Sequence, residues 1–205
     1  MIGEMLENVF IRCYVIIKLN LYFILLTVMG LIVVGIGPAF LTINQLFTEH
    51  EWDYKKITWK NAWLTYKQNW KRGNALFGIY AGLSLFIGYN LYLSVQVQGI
   101  LFLVIDFLLV FVLFCLFVTY SYSLVLHSRF DMGLANLIKL AFITFYSNFF
   151  MLVKLIFGIG IVLFITYKFP GLIMFATMAL IQIICIFTAK QWVSIIEDKL
   201  AADGE

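Results

Sequence analysis

"ILFLVIDFLLVFVLFCLFVTYSYSLVL", residues 100–126, decides the fold class. Only Asp106 in it is charged, and the run is longer than the roughly 20 apolar residues that carry a helix across a bilayer. Lipid offers the backbone no hydrogen-bond partner, so a segment of this kind satisfies its own N–H and C=O groups as an α-helix. Four more runs of the same character lie at 19–47, 73–97, 149–167 and 171–189. Bulk composition agrees: 63% of residues are hydrophobic and 12% charged, which is far from the balance of a soluble domain. The expected architecture is an all-α transmembrane bundle of about five spans, one integral membrane domain over residues 1–205.

The chain before the first run reads differently. In residues 1–18, Ile2, Met5, Leu6, Val9, Phe10 and Cys13 recur at helical spacing, which predicts an interfacial helix. Glu4 and Glu7 stand where a cleavable signal peptide would carry positive charge, so none is expected. The run at 19–47 exceeds what a crossing needs, and "GIGPAF" at 35–40 places Gly35, Gly37 and Pro38 inside it. Proline removes a backbone donor and crowds the preceding turn, so a break is expected there. Three forms remain open: an ordinary kinked span, an unwound segment lining a cavity, or a hairpin.

Lys and Arg gather on alternate sides of these spans. Lys55, Lys56, Lys60, Lys67, Lys71 and Arg72 lie between the first two runs, Arg129 and Lys139 between the third and fourth, and Lys190 and Lys199 after the fifth. The other side holds Arg12, Lys18 and Lys168. Cytoplasmic loops carry the excess of cations, so the expected placement is a bacterial plasma membrane with the N-terminus outside and the C-terminus cytoplasmic. A hairpin in the first run would instead put the N-terminus beside the basic loop.

That loop contains "ITWKNAWLTYKQNWKRGN", residues 57–74. At 100° per residue Trp59, Ala62, Trp63, Tyr66 and Trp70 share one face, and Lys60, Lys67 and Lys71 share another. The pattern predicts an amphipathic surface helix over 57–72, with aromatic rings at headgroup depth or against the other helices and lysines toward water or anionic lipid. The same face, with Asn69, is a candidate docking surface for a protein partner. "TYKQNW" at 65–70 is echoed by "TFYSNF" at 144–149, and a second amphipathic helix is expected at 134–148. Each copy would precede a helical hairpin, which gives two parallel repeats after a lone first span.

Polar groups at membrane depth need a partner or a role. Asp106 and Lys168 fall at similar depth and are candidate ion-pair partners. Asn90, Ser94 and Gln98 follow i, i+4, i+8 spacing and would line a wet path, cap the bundle or join helices. Enzyme chemistry finds no support: His50 and His127 lack metal-ligand companions, and neither a phosphate-binding Gly-Lys-Ser/Thr loop nor a Gly-x-Ser-x-Gly elbow occurs. Cys13, Cys115 and Cys185 have no metal-ligand spacing and are read as free thiols in apolar surroundings. No cofactor, metal or nucleic acid is expected.

"KLNLYFILL" at 18–26, "GIGPA" at 35–39, "TYKQNWKRG" at 65–73 and the later "TFYSNFF" together resemble the YesL-like family of small bacterial membrane proteins, long classed as of unknown function. The resemblance implies company with ABC importers of oligosaccharides, and so an accessory membrane subunit beside a sugar permease. It does not imply a permease, since no Glu-Ala-Ala loop of the kind that docks an ATPase is present. The expected function is contact within the membrane with another integral membrane protein; an independent small solute transporter or channel is the alternative.

Overall fold

The structure, a computed structural model, describes residues 2–147 and 149–202. The described residues are helical with no strand: α1 (Ile2–Met29), α2 (Val33–His50), α3 (Trp59–Ser94), α4 (Ile100–His127), α5 (Leu134–Ser147), α6 (Phe149–Lys168), a short π-helical turn (Ile173–Thr177) and α7 (Met178–Ala202). Five stretches are long and apolar enough to cross a membrane, namely Gly3–Met29, Trp59–Ser94, Ile100–His127, Phe150–Lys168 and Ile173–Lys190. The chain is therefore a multi-pass membrane protein.

Of the three forms open for the run at 19–47, the structure has the hairpin. It is two helices that fold back on each other, and the break is at Gly30–Leu31–Ile32, not at Pro38. Leu31 and Ile32 take positive φ of 58° and 64°, a region that L side chains rarely occupy. Phe23 then packs on Phe40 with ring centroids 4.5 Å apart, and Arg12 lies 5.4 Å from the Trp52 ring. The proposed interfacial helix at 1–18 is the first half of α1 and runs into its second half without interruption.

This hairpin brings the N-terminal half of α1 toward the basic loop. Lys18 donates to the Tyr54 carbonyl (3.1 Å), and Lys190 of α7 sits 3.4 Å from Glu51 in the same loop. The N-terminal half of α1, the basic loop and the Lys190 turn of α7 thus share one end of the bundle.

Pro38 stays inside α2, and its neighbourhood explains why. A Cβ on Gly37 would overlap the Gly73 carbonyl, and one on Gly73 would sit 2.7 Å from Pro38 Cα. The "GIGP" segment is a contact that brings α2 and α3 backbone to backbone, as small residues do between membrane helices. Gly35 serves the hairpin in the same way, against Thr27 and Gly30 of the turn.

α3 begins where Thr58, in extended conformation, accepts from the Asn61 amide (3.3 Å) as an N-cap. It then runs unbroken from Trp59 to Ser94, so the expected surface helix at 57–72 and span at 73–97 are one element, about 54 Å long at 1.5 Å per residue. In the second copy α5 runs to Ser147 and α6 starts at Phe149, and Asn148 lies outside the described residues. Leu137, Ala141, Thr144 and Phe145 of α5 are buried, while Asn136 and Lys139 face out.

One polar side chain holds the far end of the bundle. Asn20 of α1 is fully buried and donates to the carbonyls of Ile173 (3.0 Å) and Met174 (2.8 Å). Its oxygen accepts from the amides of Met178 (2.9 Å) and Ala179 (3.1 Å). A π-turn leaves such backbone groups without their usual i→i−4 mates, and the carboxamide supplies them.

Candidate functional site

The aromatic ribbon on α3 is turned inward at its middle and exposed at Trp59 and Trp70. Tyr66 is buried, Trp63 half-buried, and Trp59 meets Tyr22 of α1 at 5.5 Å. Trp59, Trp63 and Tyr66 stack at 6.4 and 5.7 Å, and Trp70 meets Tyr66 edge-on at 5.4 Å. Tyr66 and Asn69 of the proposed partner surface are therefore taken up by the chain's own packing, while Trp59 and Trp70 stay exposed. What it presents outward is cationic: Lys60, Lys67 and Lys71 are exposed, with the Lys67 ammonium 5.0 Å from the Trp63 ring.

Asn69 is buried on the same helix and belongs to a polar seam that joins four helices. It donates to Gln45 (2.8 Å) and accepts from His127 Nε2 (3.3 Å), and Gln45 donates to Glu49 (2.7 Å). Beside it Asn44 donates to Gln182 (3.0 Å) and accepts from Ser128 (2.8 Å). Arg72 closes the seam by pairing with Asp131 at 2.7 Å. Asn44, Gln182 and Ser128 were not singled out by sequence reasoning. Polarity inside otherwise apolar helices was the available signal, and hydrogen bonds between membrane helices are where such residues go.

The intramembrane polar candidates do not converge. Among the described residues Asp106 and Lys168 form no ion pair, Lys168 is exposed, and one Asp106 carboxylate oxygen is buried without a partner. Asn90 donates to the Phe86 carbonyl of its own helix (2.8 Å). Ser94 ends α3 and Gln98 lies in the turn beyond, so the i, i+8 stripe stops short. These residues outline no continuous path. Nor do the described residues contain a His, Cys, Asp and Glu group arranged to hold a metal ion.

The same region has a different property. From Ala81 to Phe114, across the end of α3 and the start of α4, only Ser94 is buried. Leu85, Phe107 and Ile100 are 74%, 77% and 82% exposed. Gly78 and Gly82 stand one turn apart on α3, and a side chain at either would meet nothing within 4 Å. The two helices touch each other here and little else, which leaves an apolar hairpin projecting from the bundle.

A family model described as "Protein of unknown function, DUF624" matches residues 16–91, which bears out the family resemblance over α2, most of α3 and the second half of α1. No curated protein and no solved structure matches the chain.

Proposed function

We propose that this chain, of the DUF624 type over residues 16–91, is a non-enzymatic accessory subunit that grips another integral membrane protein through the projecting α3–α4 hairpin. The observation that carries the reading is the near-absence of burial from Ala81 to Phe114. A hairpin with small residues open on one side lets a second helix approach closely, and such approach drives association where lipid removes the hydrophobic incentive. The lysines of α3, at the end that holds the basic loop, fit the anionic cytoplasmic leaflet, which would make both ends of the chain cytoplasmic. The partner that the YesL-like resemblance implies is the permease of a bacterial carbohydrate ABC importer.

Gly82→Leu separates docking from folding, because a Cβ at Gly82 would meet no atom of the described residues within 4 Å. Copurification from native membranes in mild detergent should return a permease with the parent chain and several-fold less with Gly82→Leu, at equal yield of folded protein. A chain that stays monomeric and cross-links to no protein in intact membranes would remove the reading, and the hairpin would then be covered by lipid alone.

A further inference from the structure

At the end of the bundle away from the basic loop, the chain carries two opposite charges that it leaves unmatched. Asp106 lies on α4 about 9 Å from its start at Ile100, at 1.5 Å per residue, and Lys168 closes α6. Neither has an ion-pair partner among the described residues. Oδ1 of Asp106 is sealed off, but Oδ2 is not, and Lys168 is exposed. A charge at membrane depth without a counter-charge is unfavourable, so each of these side chains needs a partner from outside the chain.

The two groups also share a depth. Phe114 of α4 and Leu163 of α6 line one groove. From that level Asp106 lies about 12 Å further along α4 and Lys168 about 8 Å further along α6, and the flexible lysine stem covers the difference.

The surface between the two helices is open. A cavity of about 660 Å³ lies between α2, α3, α4, α6 and α7. An apolar groove of about 300 Å³ adjoins it between α4 and α6 and shares Phe117, Ile159 and Leu163 with it. Gly160 lines the groove, and a Cβ there would meet nothing within 4 Å. Lipid tails alone would fill this space and leave both charges unmatched.

We propose that a second copy of this chain fills the groove, with α4 of each copy seated between α4 and α6 of the other and Asp106 of each paired with the partner's Lys168. Copies inserted in the same direction keep every residue at its own depth, so only groups at one level can meet across a two-fold axis normal to the membrane. Asp106 and Lys168 satisfy that condition, and the axis makes two ion pairs from one complementary set. The contact does not rest on a permease partner. Gly82, where the permease would approach, lies about 18 Å along α3 from Ser94, deeper than Asp106.

The test uses the full chain, labelled with donor or acceptor dye at the exposed Cys13 and reconstituted in vesicles that hold no other protein; Cys115 and Cys185 are buried. Energy transfer between parent copies should exceed that of random proximity and persist as lipid is added. Asp106→Lys alone or Lys168→Asp alone sets like charges against each other, and each should dissociate at about tenfold less lipid. A mixture of Asp106→Lys donors with Lys168→Asp acceptors restores both pairs and should regain the parent's association. Asp106→Asn, which introduces no new charge, should fall between the parent and Asp106→Lys. Three results would overturn the proposal: parent transfer no higher than random proximity, single variants that associate as the parent does, or a mixture no tighter than either variant alone while both keep the parent's helical circular dichroism.

Discussion

The two halves of α3 are made of similar residues and meet different fates. In the half that contains Gly73, the helix lies against α2 so closely that no Cβ fits, and Tyr66, Asn69 and Leu76 are buried. In the half that contains Gly78, Gly82 and Gly88, a Cβ at any of the three would meet open space, and the large apolar residues face outward. Glycine in a membrane helix marks a place where a neighbour can come close, and whether one does depends on the rest of the chain. The inner half has found its neighbour in α2; the outer half touches α4, and its glycine face meets nothing among the described residues. The difference locates where assembly with something else can still happen.

The strongest way to break this comparison is to put the same side chain into both halves. Gly73→Leu forces carbon atoms into the backbone of Gly37 and Pro38, which cannot retreat without unseating the hairpin. Overpacking a tight site costs about 1–3 kcal/mol, and a clash against backbone lies at or above the upper end. We expect Gly73→Leu to lower the melting temperature sharply or to aggregate on size-exclusion chromatography, while Gly82→Leu melts with the parent chain. Equal melting of the two variants would show that the inner crossing is not tight.

The membrane-spanning class was legible because uncharged runs of sufficient length leave no other fold, and the inward face of α3 was legible because Tyr66 and Ala62 recur at helical spacing. A hairpin in the first run was legible as one of three forms, but the place of its turn was not. In water a reversal of this kind is marked by Gly, Asn, Asp or Pro. In lipid it need not be polar, and the turn here is Gly30, Leu31 and Ile32 inside "VMGLIVV". Pro38 drew attention because proline usually ends or bends a helix, yet here it sits in an intact one and contributes a close contact. The cavity was hidden for another reason: its walls come from five separate helices, so no local spacing announces it. "TYSYS" at 119–123 was the trace it left, and most of those hydroxyls bond to their own helix, as Thr119 does to the Cys115 carbonyl (2.7 Å).

Asn20 sharpens the comparison from the other side, since it shows what a fully satisfied buried polar group does in the same bundle. Removing it leaves two carbonyls and two amides of the π-turn without the partner that bridges them. The turn can recover part of this by rewinding into ordinary α-helix, so the net loss is smaller than four separate bonds and amounts to about 2 kcal/mol. Asn20→Ala should therefore melt earlier than the parent in the same detergent, with Asn20→Asp between them because it keeps the acceptor and loses the donors. Unchanged melting of Asn20→Ala would mean that α1 and α7 are held by apolar packing alone.

The smallest expected effect lies at the inner end of α3, where Arg72 reaches Asp131 beyond α4. The hydrogen bond from Arg72, and secondly its charge, hold the Asp131 carboxyl below the usual carboxylate range. A carboxyl with a depressed value in the folded state binds fewer protons than it does unfolded, so the stabilisation is complete above about pH 4 and disappears as the pH falls through the folded value. Both partners are well exposed, at 46% and 87%, and water and salt screen the pair. Asp131→Asn should accordingly melt slightly below the parent at pH 7 in low salt, and the gap should close at pH 3 and in 1 M NaCl. A gap that widens on acidification would mean that Asp131 stabilises the fold through its protonated form, and the ion pair would then not be what ties the packed half of α3 to the end of α4.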